Sequence, residues 1–299
     1  MTQTIIVGSR ESRLAVIQSE MIIQQIRQIC PEADVQLVTM KTTGDKRLDV
    51  SLDKIGGKGV FVKELDQALR EKRIDLAVHS LKDMPADIDD DLPVLAYSKR
   101  ENPADALVLP VGVSLSDFQG PIGSSSARRK LQLKALYPEI SVEPVRGNIQ
   151  TRLRKLEEGT FGALVLAYAG LKRLELDGLA ARVFRLDEMI PPAGQGILAV
   201  QGRKGEYGEL AGCLNDALSG YAAAAERSFI RALGCGCTAP VAAYAETDGK
   251  TVTLRALYLD EPTGRKVSGD ISGTVEEAEK LGADLAAKFI AKINSEVAT

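Results

Sequence analysis

Short apolar runs alternate with helix-period segments along most of this chain, and that alternation confines it to a fold in which helices cover a largely parallel sheet. A run at 4–7 leads into a turn at Gly8, Ser9 and Arg10. A segment with Leu14, Ile17, Met21, Ile22, Ile26 and Ile29 at helical spacing follows, halted by Pro31. A second run at 35–40, a Gly- and Lys-rich stretch, a helical pattern at 61–70 and a buried-strand run at 74–78 complete one α/β unit. The pattern restarts near Asn102, with apolar runs at 106–109, 140–145 and 163–167 separated by helical segments at 131–136 and 149–156.

The stretch Met189-Ile190-Pro191-Pro192-Ala193-Gly194-Gln195-Gly196 precedes another apolar run at 197–200 and reads as a hinge carrying the chain back to its first unit. Past Ser219 the pattern changes. A helix at 222–232, three alternating strands at 241–245, 252–258 and 266–271, and an amphipathic helix bearing Ala278, Leu281, Leu285, Phe289 and Ile293 predict a smaller α+β unit. The expected domains are 1–98 with 197–216, then 102–193, then 219–299.

With 38 Lys+Arg against 41 Asp+Glu the net charge is −3, which excludes the global basic excess of a general nucleic-acid binder. Any anion site must be local. Apolar stretches stop well short of the ~20 residues that span a bilayer, and MTQTIIVGSR lacks signal-peptide anatomy. The expectation is a soluble cytoplasmic protein without nucleic-acid or membrane partners. One histidine, His79, and four cysteines, Cys30, Cys213, Cys235 and Cys237, form no metal-ligand spacing, so no metal is expected. His79 reads as a packed structural residue, and Cys30 and Cys213 as core.

Positive charge is concentrated between 122 and 156, where Arg128, Arg129, Lys130, Lys134, Arg146, Arg152, Arg154 and Lys155 face only Glu139 and Glu143, a local +6. Gly123-Ser124-Ser125-Ser126 precedes Ala127-Arg128-Arg129, and Arg146-Gly147-Asn148 occupies the next strand-to-helix turn. Free backbone N–H groups at such helix starts favour anions. A solvated basic face is the plainer reading of either run alone. Two runs at successive junctions point instead to one cleft, because strand C-terminal ends converge in α/β sheets. Ser9-Arg10-Glu11-Ser12 repeats the arrangement in the first unit. Lys54-Ile55-Gly56-Gly57-Lys58-Gly59 lacks phosphate-loop spacing and reads as a mobile lid. His79-Ser80-Leu81-Lys82-Asp83-Met84-Pro85 leaves a buried strand and sets a carboxylate, Asp83, beside a cation, as acid/base work requires.

Seven segments, KIGGKGVFVKEL (54–65), HSLKDMP (79–85), GSSSARRKLQ (123–132), RGNIQTRL (146–153), AGLKRL (169–174), PAGQG (192–196) and LGCGCTAP (233–240), resemble the hydroxymethylbilane synthase, or porphobilinogen deaminase, family in order and over nearly the whole chain. The resemblance implies two type II periplasmic-binding-protein-like α/β domains and a C-terminal α+β domain carrying a covalent dipyrromethane cofactor. It implies a transferase of tetrapyrrole biosynthesis that condenses four porphobilinogen molecules with loss of ammonia and releases hydroxymethylbilane by hydrolysis. It further implies Asp83 as catalytic carboxylate and Lys82, Ser126, Arg128, Arg129, Arg146 and Arg152 as cofactor or chain-carboxylate ligands. Arg10, Ser12 and Arg173 would meet substrate, Lys54 and Lys58 would belong to the mobile loop, Gln195 to the hinge, and the molecule would be a monomer. The family has Gly-Gly-Cys where this chain has Cys235-Gly236-Cys237. Alignment through Leu233 and Pro240 places the thioether on Cys237 and leaves the role of Cys235 open. The rival reading is a two-domain anion-binding protein, a solute receptor or ligand-sensing domain; it explains the Arg-lined cleft but not the loop cysteine. A generic thiol enzyme ranks below both, since the single histidine is poorly placed to pair with a cysteine.

Overall fold

The computed structural model describes residues 4–46, 59, 61–234, 239–262 and 264–295. The first unit runs β1 (Thr4–Arg10), α1 (Arg13–Ile29), β2 (Asp34–Met40), α2 (Thr43–Lys46), α3 (Lys63–Arg70), β3 (Leu76–Ser80), a single 3-10 turn (Leu81–Asp83) and β4 (Val94–Tyr97). The second runs β5 (Asp105–Val108), β6 (Ile122–Gly123), α4 (Ala127–Leu136), β7 (Val142–Glu143), α5 (Ile149–Glu157), β8 (Ala163–Ala167), α6 (Tyr168–Arg173) and β9 (Ala180–Val183). Then β10 (Leu198–Gly202) and α7 (Gly208–Leu214) return to the first sheet. The chain closes with α8 (Ala217–Ala232), β11 (Val241–Thr247), β12 (Thr251–Asp260), β13 (Arg265–Thr274) and α9 (Ala278–Ser295).

The first sheet has the order β2-β1-β3-β10-β4 and the second β7-β6-β8-β5-β9. In each, three parallel strands are followed by one antiparallel strand that enters from the other unit, β10 in the first and β5 in the second. This doubled topology with two crossings is that of a type II periplasmic-binding-protein core. Both faces of each sheet are covered, which accounts for the unbroken apolar runs. Ile5, Val7, Leu76, Val78 and Val200 meet Ile22, Ile23 and Ile26 of α1. Ala77 meets Leu65 and Leu69 of α3 on the opposite face. The third unit is an antiparallel meander, β11-β12-β13, under α8 and α9, with Phe229 and Phe289 edge to face at 5.4 Å. Gly282 lets those helices touch: a Cβ there would lie 2.3 Å from the Ala225 carbonyl oxygen.

Several elements differ from their sequence expectation for local reasons. The run at 140–145 yields only a two-residue strand, because Pro144 lacks the N–H that a continuing ladder needs. The helix through 131–136 does begin where Gly123 to Ser126 signal its start, at Ala127, since Ser126 accepts from the Arg129 N–H and caps it. The short edge strands β4 and β9 have no sequence counterpart in the alternation. On α1, Met21 and Ile29 are exposed and Ile23 shares the buried face. Cys213 is exposed, not core: Leu210, Ala211 and Leu214 carry the buried face of α7 and leave it on the flank. Cys30 is half-buried where α1 ends. His79 is buried, with Nε2 3.0 Å from Gln201 Oε1. Among the described residues no helix is long and apolar enough to cross a membrane.

The two crossings are paired with each other rather than loose. Ser98 N donates to Leu198 O at 2.9 Å and Glu101 N to Gly196 O at 3.1 Å. Gly196 has φ +92°, and a Cβ there would lie 2.2 Å from Glu101 O, so no other residue fits. Fully buried Glu226 of α8 ties this double strand to the third unit. Its carboxylate accepts from Arg100 Nη2 at 2.7 Å, Gly194 N at 2.7 Å and Ala245 N at 2.7 Å. Glu226→Ala would strand a half-buried guanidinium and two backbone donors, and should cost about 3–5 kcal/mol in urea unfolding; a loss under about 1 kcal/mol would contradict this account.

Burial lowers the His79 pKa from 6.5 to about 4. The unfolded chain therefore takes up a proton that the native state refuses, so stability is full above about 6.5 and declines as pH falls toward 4. With one histidine in the chain, the slope of unfolding free energy between pH 5 and 6.5 should be smaller in His79→Gln than in the wild type, measured by urea titration at several pH values.

Candidate functional site

The turn after β3 of the first sheet lies near the helix starts after β6 and β7 of the second, since Lys82 and Asp83 interact with Arg128, Arg129 and Arg152, and these turns carry the candidate side chains. Beyond β3, the 3-10 turn holds Lys82 and Asp83, both half-buried. Beyond β6, Ser124 to Ser126 open α4, whose first turn carries Arg128 and Arg129. Arg146 precedes α5, which Asn148 caps by accepting from Thr151 N, and Arg152 lies one turn along it. Beyond β8, α6 ends at Arg173.

Arg128 and Arg129 are buried and are not free cations. Both grip Asp105, which has no exposed surface. Arg128 Nη2 donates to Asp105 Oδ2 at 2.7 Å and Arg129 Nη2 to Oδ1 at 2.7 Å. Their other ends donate to carbonyls, Arg128 Nη1 to Ile190 O at 2.7 Å and Arg129 Nη1 to Val165 O at 2.8 Å. Burial alone would raise the Asp105 carboxyl; the two guanidiniums outweigh it and hold it well below the usual carboxylate range. Lys82 Nζ donates to Gln195 Oε1 at 3.2 Å, and Gln195 Nε2 donates to Pro103 O at 2.6 Å and Asp105 Oδ1 at 3.1 Å.

The cations that remain are short of counter-charge. Burial first, and then Arg129 and Arg128, pull the Lys82 pKa down to about 8 against the opposing pull of Asp83 and Asp105. Arg152 is lowered to about 10 by burial and by Arg129 and Arg146, with Asp83 again opposing. Its Nε is held by Gly147 O at 2.8 Å. Lys82, Asp83, Arg128, Arg129, Arg146 and Arg152 therefore form one electrostatic neighbourhood with more positive than negative charge.

Arg10, Ser12 and Arg173 occupy different surroundings. The Arg10 guanidinium stacks 4.2 Å over the Phe61 ring. Ser12 caps α1, accepting from Ala15 N at 3.4 Å. Arg173 Nη2 donates to Gly196 O at 2.6 Å, and burial lowers its pKa to about 10 against the pull of Glu101. Among the described residues Arg173 Nε and Gln150 Nε2 are buried donors without a partner, as groups awaiting an anionic ligand would be. The N-terminal end of α1 reaches α6, since a Cβ at Gly170 would lie 3.6 Å from Leu14 Cδ2. Lys54, Lys58, Cys235 and Cys237 lie outside the described residues. Asp105 was missed by sequence reasoning, although an acid heading the otherwise apolar DALV strand signals a buried partner.

Comparison with known proteins returns one family twice. The model described as "Porphobilinogen deaminase, dipyromethane cofactor binding domain" matches residues 5–209, and "Porphobilinogen deaminase, C-terminal domain" matches 221–291. The porphobilinogen deaminase of Acetivibrio thermocellus is 51% identical over 284 residues, covering 95% of this chain and 97% of that protein. That of Alkaliphilus oremlandii is 52% identical over 280 residues, with 94% of each covered. Among solved structures, the periplasmic VFT2 domain of Bordetella pertussis BvgS is similar at TM-score 0.42 and 15% identity, over 71% of this chain and 85% of that one. The aliphatic sulphonate binding protein SsuA of Escherichia coli is similar at TM-score 0.39 and 13% identity, over 78% and 70%. The sheet order described above, rather than these distant likenesses, defines the fold.

Proposed function

The chain belongs to the porphobilinogen deaminase family, and from that premise we propose that Asp83, set among buried cations, carries its chemistry. The activity is that of a hydroxymethylbilane synthase, a transferase of tetrapyrrole biosynthesis. Four porphobilinogen molecules are joined head to tail, each losing its aminomethyl nitrogen as ammonia as a carbon–carbon bond forms and a pyrrole α-proton departs. Water then releases the linear product. A non-catalytic anion-binding protein is not favoured.

When bound, the dipyrromethane supplies the free pyrrole α-carbon onto which units are added. Each pyrrole brings an acetate and a propionate, so the growing chain is a polyanion, and planar guanidiniums match carboxylates best. The undercompensated charge of Lys82 and Arg152 and the Arg173 Nε, which has no partner among the described residues, suit such a ligand. In this reading Lys82, Ser126, Arg128, Arg129, Arg146 and Arg152 hold cofactor and chain carboxylates. Arg10, Ser12 and Arg173 receive the incoming porphobilinogen, with Lys54 and Lys58 on a covering loop. Asp83 accepts hydrogen bonds from pyrrole N–H groups, stabilises the positive charge that develops as the amine departs, and takes up the α-proton. Gln195 lies in the second crossing, where the two halves hinge. In the same reading the domains are 1–98 with 197–216, 102–193 and 219–299, in a cytoplasmic monomer without nucleic-acid or membrane partners. The observation that carries the reading is one acidic side chain among several partly desolvated cations where two sheets converge.

Incubation with porphobilinogen should release ammonia and hydroxymethylbilane, and Asp83→Ala should lower turnover by about 10²-fold or more with thermal unfolding little changed. Wild-type rates in that variant would remove Asp83 from the chemistry. Intact mass should show one dipyrromethane, absent in Cys237→Ser and retained in Cys235→Ser; the reverse pattern would move the attachment. Because Lys82 loses its proton from about pH 8 upward, kcat/KM should decline on that side, and Lys82→Arg should carry the decline to higher pH. A limb unmoved by that substitution would show that another group sets it.

A further inference from the structure

Asp105 has no part in the mechanism above, yet one carboxylate reaches three cations assigned to anion binding. Its Oδ2 accepts from Arg128 Nη2 at 2.7 Å, and its Oδ1 accepts from Arg129 Nη2 at 2.7 Å and Nε at 3.2 Å. The same Oδ1 accepts from Gln195 Nε2 at 3.1 Å, and Gln195 Oε1 accepts from Lys82 Nζ at 3.2 Å. We propose that Asp105 is a positioning residue for the known reaction, fixing the planes of Arg128 and Arg129 and, through Gln195, the ammonium of Lys82, so that all three meet substrate-chain carboxylates at a set spacing.

This inference rests on the deaminase reading and deepens it. Each guanidinium is already held at one end by a carbonyl, Ile190 O or Val165 O. Asp105 supplies the second point, and two points fix a planar group that one leaves free to swing. Only an ionised carboxylate does so for both, since it accepts at each oxygen. An asparagine would turn a donor toward one of the arginines, and would leave two adjacent buried cations with no charge between them. Gln195 accepts from Lys82 through its carbonyl because its amide is committed to Pro103 O and Asp105. The lysine of the first unit is thereby registered to the arginines of the second across the crossing strands. Lys82 faces Asp83, Asp105, Arg128 and Arg129, and of these the two acids favour its protonated form. Loss of the Asp105 charge should therefore bring Lys82 deprotonation to lower pH.

The test compares wild type, Asp105→Asn and Asp105→Glu as full chains purified with their covalent cofactor, by thermal unfolding, intact mass and ammonia release against porphobilinogen concentration and pH. In the folded fraction of Asp105→Asn, kcat should fall on the order of ten- to a hundred-fold. The alkaline limb should move to lower pH, and a smaller fraction of molecules should carry the dipyrromethane mass. Asp105→Glu should restore the limb, because the charge returns. Folded Asp105→Asn with wild-type turnover and limb would overturn the proposal. So would a rate loss matched by lost folded protein with the limb unmoved, which is what a purely structural acid would give. Wild-type protein that carries no dipyrromethane mass and releases no ammonia would instead sink the deaminase reading, and this inference with it.

Discussion

Buried positive charge in excess of its counter-charge is the condition under which this molecule is built. Cations withdrawn from water and set near one another repel, and each is stable only where oxygen atoms are fixed around it. The fold supplies those oxygens from backbone: Ile190 O for Arg128, Val165 O for Arg129, Gly147 O for Arg152 and Gly196 O for Arg173. Two acids complete the arrangement, Asp105 bonded to Arg128 and Arg129 and Asp83 near Lys82 and Arg152. The shortfall that remains is what a polycarboxylate chain is suited to fill.

That arrangement depends on two sheets meeting at their strand ends. Each sheet borrows one antiparallel strand at the point where the chain crosses, and Gln195 of the second crossing bonds Lys82 and Asp105 of the site. Paired backbone from Ser98 to Glu101 and from Gly196 to Leu198, with Gln195 bonded across to Pro103, makes the junction a short double strand. Glu226 fastens the third unit to the same junction through Arg100 and Gly194. The third unit is thus anchored at the point where the chain passes between the other two.

The alternation of runs was enough to name two α/β units and an α+β unit, because helical and strand periods differ and each must bury one face. The sequence motifs also led to Asp83, Lys82 and the arginine runs, since those residue types stand at strand-to-helix turns whose positions the periodicity marks. Less legible were the elements whose stability is not local. The strands β4 and β9 are short edge strands stabilised by their neighbours. The run at 140–145 was cut short at Pro144. Cys213 was misassigned to the core, because composition cannot tell which flank of a helix a neighbour will cover.

The chain by itself determined its layers, its order of units, its family and the kinds of charge that gather at the turns. Those properties follow from periodicity and residue chemistry along short stretches. Only the tertiary structure decided that Arg128 and Arg129 spend part of their donors on Asp105, that Lys82 reaches the same acid through Gln195, and that Glu226 closes on both crossings. These partners lie far apart in sequence, from 23 residues for Arg128 and Asp105 to 126 for Arg100 and Glu226. A pairing at such separation is set by where two sheets bring their ends together, which no local pattern encodes.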